Sequence, residues 1–520
     1  MKSFSHLVLQ KVNNDFRSAS ACLVLSVGEF TMFQEGSDSL SRAIRVGRTI
    51  TLSLFFSLCT SKTLAQVQND GIQREHVKKF YTSLTGSTPT RQEINLLLDA
   101  SQRGNLFATA YDIIESRNGF QSYGAFYNIT VRDFATPWST EDASPFTELN
   151  DLTATVVGYT RDEKPFNEIL WRDTVYKAVG VVFKGGQLRY FRNSSFPSGT
   201  SASTVCQGVV SSDRSGSQVR VWYIDPLNPN SSPNDVNNTG CRLTKYSWSD
   251  MQDAFNQNKL YIPSIDTIVE TNRIKESNNH YRSLEGLGID LSNRDIIRET
   301  SQQVKLHRDP AAIAGLLSTR AFGKAYYSAG TNRAALAFSM KYFFCKDMEE
   351  LNDTSIPDYR NRRDVDRSPG GNSTLYKNRC IGCHAGMDAL AGAFAYYDYN
   401  GGITYEPGVV VTKMNHNAIF ADGHVTNDDS WINLWDKGQN GTLGWGAIKA
   451  GNGAKDLGRL FASSEAFPKC MSEQVFKKVC FRKAVSEKDH AIVEANTNYF
   501  KANQYNMKKL FIKTAMDCMQ

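Results

Sequence analysis

Five consecutive residues, Cys380-Ile381-Gly382-Cys383-His384, restrict this chain more than anything else in it. Two thiols three positions apart lie on one face of a helical turn, and the next residue lies beside them. C-x-x-C-H is the attachment pattern of c-type haem. The thiols form thioethers to the porphyrin, and the histidine gives iron its proximal nitrogen. With ten Cys and eight His in 520 residues, the pattern arises by chance roughly three times in a thousand such chains. The expectation is one covalent haem c per chain, anchored by Cys380 and Cys383, with His384 as iron ligand. Three other uses of C-x-x-C stay open. A structural zinc site needs four ligands, usually two such pairs, and there is no second C-x-x-C. A thioredoxin-like pair wants a preceding strand, whereas Ser368 to Thr374 is polar and rich in Gly and Pro-type breakers. The last is a plain disulfide.

The sixth iron position has several candidates. Met414 follows His384 by 30 residues; a Met ligand raises the reduction potential and suits electron transfer. His416, His424 and Met387 compete, and an open or water-bound position is the other expectation. Met387 lies three residues past His384 on the same expected helix, which keeps it on the proximal side. Further along, Asp358 to Arg367 is dense in both charges and reads as a solvated surface segment. The sharper alternative is that Arg362, Arg363 or Arg367 pairs with a haem propionate, since guanidinium matches a carboxylate bidentately.

Residues 42–65 have the pattern of a secretory signal peptide. Arg42, Arg45 and Arg48 precede a short apolar core, Thr49 to Cys59, and Thr63-Leu64-Ala65 offers a small-residue cleavage site before Gln66. The apolar run is shorter than the ~20 residues of a spanning helix. Forty-one residues precede this signal, so an over-extended start is expected, with Met32 one candidate start. The expected location is the periplasm, or the surface or exterior, of a Gram-negative bacterium. No transmembrane segment is expected in the mature chain. Disulfides persist in such a compartment.

Composition adds exclusions. Hydrophobic residues make up 41% and charged residues 22%, which suits a globular chain with ample core. Net charge is +6; residues 1–65 carry seven Lys/Arg and four Asp/Glu, leaving +3 on the rest. That excess is too thin for a nucleic-acid binder. Six cysteines are outside the haem motif and the leader: Cys206, Cys241, Cys345, Cys470, Cys480 and Cys518. Cys206 and Cys241 bracket a loop and are expected to pair. Cys470 and Cys480 on one continuous helix would be about 15 Å apart, too far to bridge. They pair only if a turn intervenes near Ser472; otherwise Cys518 ties to the helix holding one of them.

The residues after the motif, positions 383–402, resemble the planctomycete-type c-haem cytochrome families. Those families follow C-x-x-C-H with x-x-Met-Asp-Pro and an aromatic-Asp turn. Met387 and Asp388 match, and Ala389 stands where Pro is usual. The stretch Leu457 to Phe467 followed by Cys470 is similar to their small helical module, and Phe80 to Glu93 to their helix-turn-helix opening. The likeness covers about half of the expected mature chain, mostly residues 310–520. It implies covalent haem and a multi-helical build, and carries no substrate with it.

The fold class expected is mainly α: multi-helical, with a small β-rich insert and a c-type haem domain. The divisions are 1–65 (leader and signal peptide), 66–165 (helical), 166–250 (β-rich insert), 251–340 (helical), 341–440 (haem domain) and 441–520 (C-terminal helical module). Val77, Phe80, Tyr81 and Leu84 keep helical spacing, and Thr90 with Glu93 forms a capping box for the next helix. Val175 to Phe183, Gln187 to Phe191 and Gln218 to Ile224 are strand-like runs. Asp309-Pro310 opens a helix over Ala311 to Phe322, and a second runs from Asn332 to Leu351. The expected function is haem binding and one-electron transfer with an unspecified redox partner protein. Whether the haem serves an enzyme is open, since no G-x-S-x-G, H-E-x-x-H or P-loop occurs. The rivals are a haem enzyme or gas sensor with an open iron position, and an envelope binding protein whose C-x-x-C is a disulfide.

Overall fold

The computed structural model describes residues 71–178, 290–294, 297–303 and 309–519, with short strand segments between 182 and 261. The chain divides into Met1–Gln73 and Arg74–Gln520, and the described elements belong almost entirely to the second unit. The signal-peptide segment 42–65, the run Gln187 to Phe191 and the Cys206–Cys241 pairing lie outside the described residues.

The architecture is mainly helical. Helix α1 covers 71–85 and buries Val77, Phe80, Tyr81 and Leu84 on one face, as their spacing predicts. Helix α2 (Arg91–Gln102) starts on the expected capping box: Thr90 Oγ1 accepts from Glu93 N, and Glu93 Oε2 accepts from Thr90 N at 2.8 Å. The same carboxylate accepts from Tyr81 Oη and from Gln121 N, so one buried charge fastens α1, α2 and the distant loop at Gln121. Helices α3 (Leu106–Ile114) and α4 (Asp151–Arg161) follow, and α4 is buried along its whole length. Asp151 at its start accepts from the backbone N of Arg320 and Ala321, which caps helix α5 (Arg320–Tyr326) across the core.

Strands form two-stranded sheets only, among the described residues. Val175–Ala178 pairs antiparallel with Ile297–Thr300, and Val219–Ile224 pairs antiparallel with Cys241–Tyr246. The strand-like runs at 175 and 219 are thus strands, each completed by a segment the β-pattern did not reveal.

Two expected helices are shorter than their sequence suggests. Asp309 does cap Ala311 N with Pro310 in the first turn, but the turn ends at Ala312. Gly315 then takes φ +53°, and a Cβ there would overlap Ile169 O, so the chain kinks before α5 instead of continuing. Helix α6 (Arg333–Phe343) also stops short of Leu351. Cys345 adopts φ +53° to reach Cys470, and a separate turn, Met348–Leu351, restarts on an Asp347/Glu350 capping box.

The motif lies on α7 (Ile381–Ala391), and the chain ends in α8 (Gly453–Ala462), α9 (Ala466–Cys480), α10 (Glu487–Ala502) and α11 (Met507–Asp517). Cys470 and Cys480 share one unbroken α9, and Ser472 makes no turn; its hydroxyl donates to Pro468 O. The local pair is therefore excluded. Cys480 bridges to Cys518 and Cys470 to Cys345, at Cα separations of 5.6 Å and 5.3 Å. One hydrophobic core runs from Val77 to Cys518, across the divisions read at 165, 340 and 440. Among the described residues no helix is long and apolar enough to cross a membrane.

Candidate haem centre

A five-residue π-helical turn, Tyr376–Cys380, leads directly into α7. Tyr376 fastens it: its hydroxyl donates to Asp358 Oδ2 at 2.6 Å and accepts from Asn361 Nδ2 at 2.9 Å. Cys380, Cys383, His384 and Met387 fall at i, i+3, i+4 and i+7, one stripe of the helix. Two glycines seat the helix. A Cβ at Gly382 would overlap Asn352 Oδ1, and one at Gly386 would overlap the Trp435 ring. The backbone therefore lies hard against these neighbours. Cys380 and Cys383 are half-buried free thiols, and the His384 side chain is 25% exposed.

Beneath the histidine is a charged network. His384 Nδ1 lies 3.5 Å from Asp388 Oδ1 and has no nearer partner. The Asp388 side chain is 0% exposed and accepts from Arg333 Nε at 2.5 Å, Arg333 Nη2 at 2.9 Å and Arg362 N at 3.0 Å. Arg333 also grips Asp364 at 2.6 and 2.8 Å. Burial alone would push the Asp388 carboxyl up. The His384 imidazole 3.5 Å away, hydrogen bonds from Arg333, and the Arg333 and Arg362 charges reverse this and hold it well below the usual carboxylate range. Burial pushes the Cys383 thiol up, and nearby Glu349 and Cys380 push it the same way. A catalytic redox thiol is normally activated in the opposite direction. The motif also follows a π turn, not a strand. Both facts weigh against a thioredoxin-like pair.

The segment Asp358 to Arg367 departs from the solvated surface expected of it. Asn361 and Arg362 are buried, Arg362 to 1% exposure. The Arg362 Nη1 donates to Thr331 O at 2.7 Å and lies 3.6 Å from Met414 Sδ, while Nε and Nη2 have no partner. Burial pulls its guanidinium down to about 10. A buried cation with two unused N–H directions suits a carboxylate such as a haem propionate. Arg367 uses its donors on Val365 O and Asn361 O and lies over the Tyr376 and Phe420 rings. Of the three arginines named from sequence, Arg362 is the one buried with open donors on both Nε and Nη2.

The distal candidates separate. Met414 sits in the turn Thr412–Asn415, 1% exposed, with its sulfur against Arg362. His424 bridges in parallel to Arg362, and its N donates to Asn361 O at 2.9 Å. Burial pushes its imidazole down, and Arg360 and Arg362 add to this against the opposing pull of Asp388 and Asp428. His424, Asp388, Arg360, Asp428 and Ser430 line a cavity of about 220 Å³. His416 is exposed, and Met387, although on the motif stripe, is buried in the hydrophobic core. The structure thus gathers Asp388, Arg362, Met414 and His424 around the motif helix and leaves His416 outside. Among the described residues no group of three or more His, Cys, Asp or Glu comes together as a metal site.

No family model, curated protein or solved structure matches this chain. Sequence reasoning missed Arg333, which lies 55 residues from the Asp388 it grips and carries no local signal. The sequence names Asp388 as a match to the family pattern and assigns it no role, although the i+4 spacing from His384 puts both on one face.

Proposed function

We propose that this chain is an exported mono-haem c-type cytochrome that binds one covalent haem c and transfers single electrons in the cell envelope. The observation that carries the reading is the state of the cysteines. Cys380 and Cys383 are free and share a stripe with His384, while Cys345, Cys470, Cys480 and Cys518 are bridged. The two thiols would hold the haem, His384 Nε2 would face the iron, and Arg362 would take a propionate. Bound haem supplies a reversible one-electron couple; the protein tunes and docks it. The resemblance of residues 383–402 to planctomycete-type cytochromes points the same way, as does the signal-peptide pattern at 42–65.

One observation favours a second reading, a haem enzyme or gas sensor with an open iron position. The Met414 sulfur is already engaged by Arg362 and buried. The test is a pyridine haemochrome assay on denatured protein, expressed with the c-haem maturation system. A haem that stays with the chain, and is lost in Cys380→Ser/Cys383→Ser, supports both haem readings; absence of covalent haem overturns both. A ferrous spectrum that shifts on adding CO selects the open position, and an unchanged one selects electron transfer.

A further inference from the structure

We propose that Asp388 is the positioning residue for His384, and that Arg333 sets how much of its charge the imidazole feels. The inference rests on the haem reading for its redox half only. Asp388 Oδ2 accepts from two donors, Arg333 Nη2 and Arg362 N, whereas Oδ1 has one short bond, from Arg333 Nε. The next donor in reach of Oδ1 is His384 Nδ1 at 3.5 Å, which has no other partner. Closing that gap by about half an ångström makes an ordinary hydrogen bond. A histidine that donates Nδ1–H to a carboxylate is locked in the tautomer whose lone pair is on Nε2. The carboxylate is wholly buried, so its field at the ring is screened less than that of a surface carboxylate.

Arg333 is the counterweight. It holds Asp388 with one edge and Asp364 with the other, so its single positive charge is shared between two carboxylates. Arg362 offers Asp388 its backbone N, and its guanidinium turns away to Thr331 O. The imidazole therefore sees a partly neutralised anion. Removing the anion makes the imidazole a poorer donor and favours reduced iron. Removing Arg333 exposes the anion and favours oxidised iron. A merely structural ion pair would move both variants the same way.

The haem-loaded full chain is measured by redox titration. Asp388→Asn should shift the reduced-to-oxidised ratio upward by about tenfold, which is about 59 mV for a one-electron couple. Arg333→Gln should shift it downward, and Arg333→Lys should stay near wild type. Shifts of one sign in Asp388→Asn and Arg333→Gln, or none, with haem retained, overturn the proposal. The haem-free full chain, with ¹⁵N-histidine and His384 assigned through His384→Gln, gives an independent reading. Nδ1–H in the wild type and Nε2–H in Asp388→Asn support the proposal; Nε2–H in the wild type overturns it. If the wild type takes up no haem, the cytochrome reading fails and this second measurement alone decides the role of Asp388. If Asp388→Asn does not fold, Arg333→Gln and the wild-type tautomer decide.

Discussion

Helices α9, α10 and α11 bury Phe467, Met471, Val475, Phe476, Phe500, Leu510 and Phe511 against one another and against Phe126 and Phe134. Both described disulfides end in this bundle. Around α7 the interior is different. Asn361, Arg362, Asp388, Asn433 and Trp435 are buried there, and Arg362, Asn361, Asn433, Trp435 and His384 each keep a polar atom without a partner. Native interiors leave few such atoms. The contrast teaches that the bundle leaves one such atom, Asn496 Oδ1, whereas the interior around α7 keeps several donors and acceptors that a bound group could satisfy.

The largest effect expected is on the bundle side. Cys345→Ser/Cys470→Ser opens a link of sequence separation 125 and should cost about 5 kcal/mol in a denaturation titration. The Cys480–Cys518 link, of separation 38, should cost about 4 kcal/mol. A loss below about 1 kcal/mol for either would mean that packing alone completes the bundle. On the other side, Gly386→Ala drives a methyl into Trp435 and should cost about 2 kcal/mol, read by the same titration.

Acid sharpens the comparison further. The Asp388 carboxyl is held below its ordinary range in the folded chain, so the unfolded chain takes up that proton first. Its contribution is full above about pH 4, the unfolded value, and is lost as pH falls through the lower folded value. Asp388→Asn should remove that part of the acid sensitivity, measured as the urea midpoint against pH. An unchanged slope would relieve Asp388 of its charge-pair role. The smallest effect belongs to Arg362→Met in the haem-free chain. Removing a half-satisfied buried cation should be neutral, or should stabilise by about 1 kcal/mol. In the haem-loaded chain the same change should destabilise. A loss of about 3 kcal/mol without haem would mean that the guanidinium is satisfied by the protein itself.

The sequence was informative wherever the signal was local. The capping box at Thr90, the helical face of Val77 to Leu84 and the C-x-x-C-H stripe all depend on residues within two turns of one another. Expectations failed where distant chain intervened. The helix from Ala311 breaks at Gly315 because Ile169 O fills the space of its Cβ, and no local pattern at 315 encodes residue 169. Helix α6 ends early because Cys345 must meet Cys470. Asp358 to Arg367 reads as surface by its charge, yet Arg362 is drawn inward by Thr331 and by Asp388 through its backbone. The pairing of Arg333 with Asp388 was invisible for the same reason.

The π turn at Tyr376–Cys380 has a consequence for how this site can vary. Ile381 N donates to Tyr376 O, so this turn holds one residue more than an α turn. Tyr376 is pinned upstream and the two glycines are pinned downstream, while Lys377 and Asn378 between them face solvent. Deleting either exposed residue would restore ordinary phasing and swing everything upstream by about 100° relative to the thiols. The angular relation between Cys380 and the arginine-bearing segment is therefore set by a single codon.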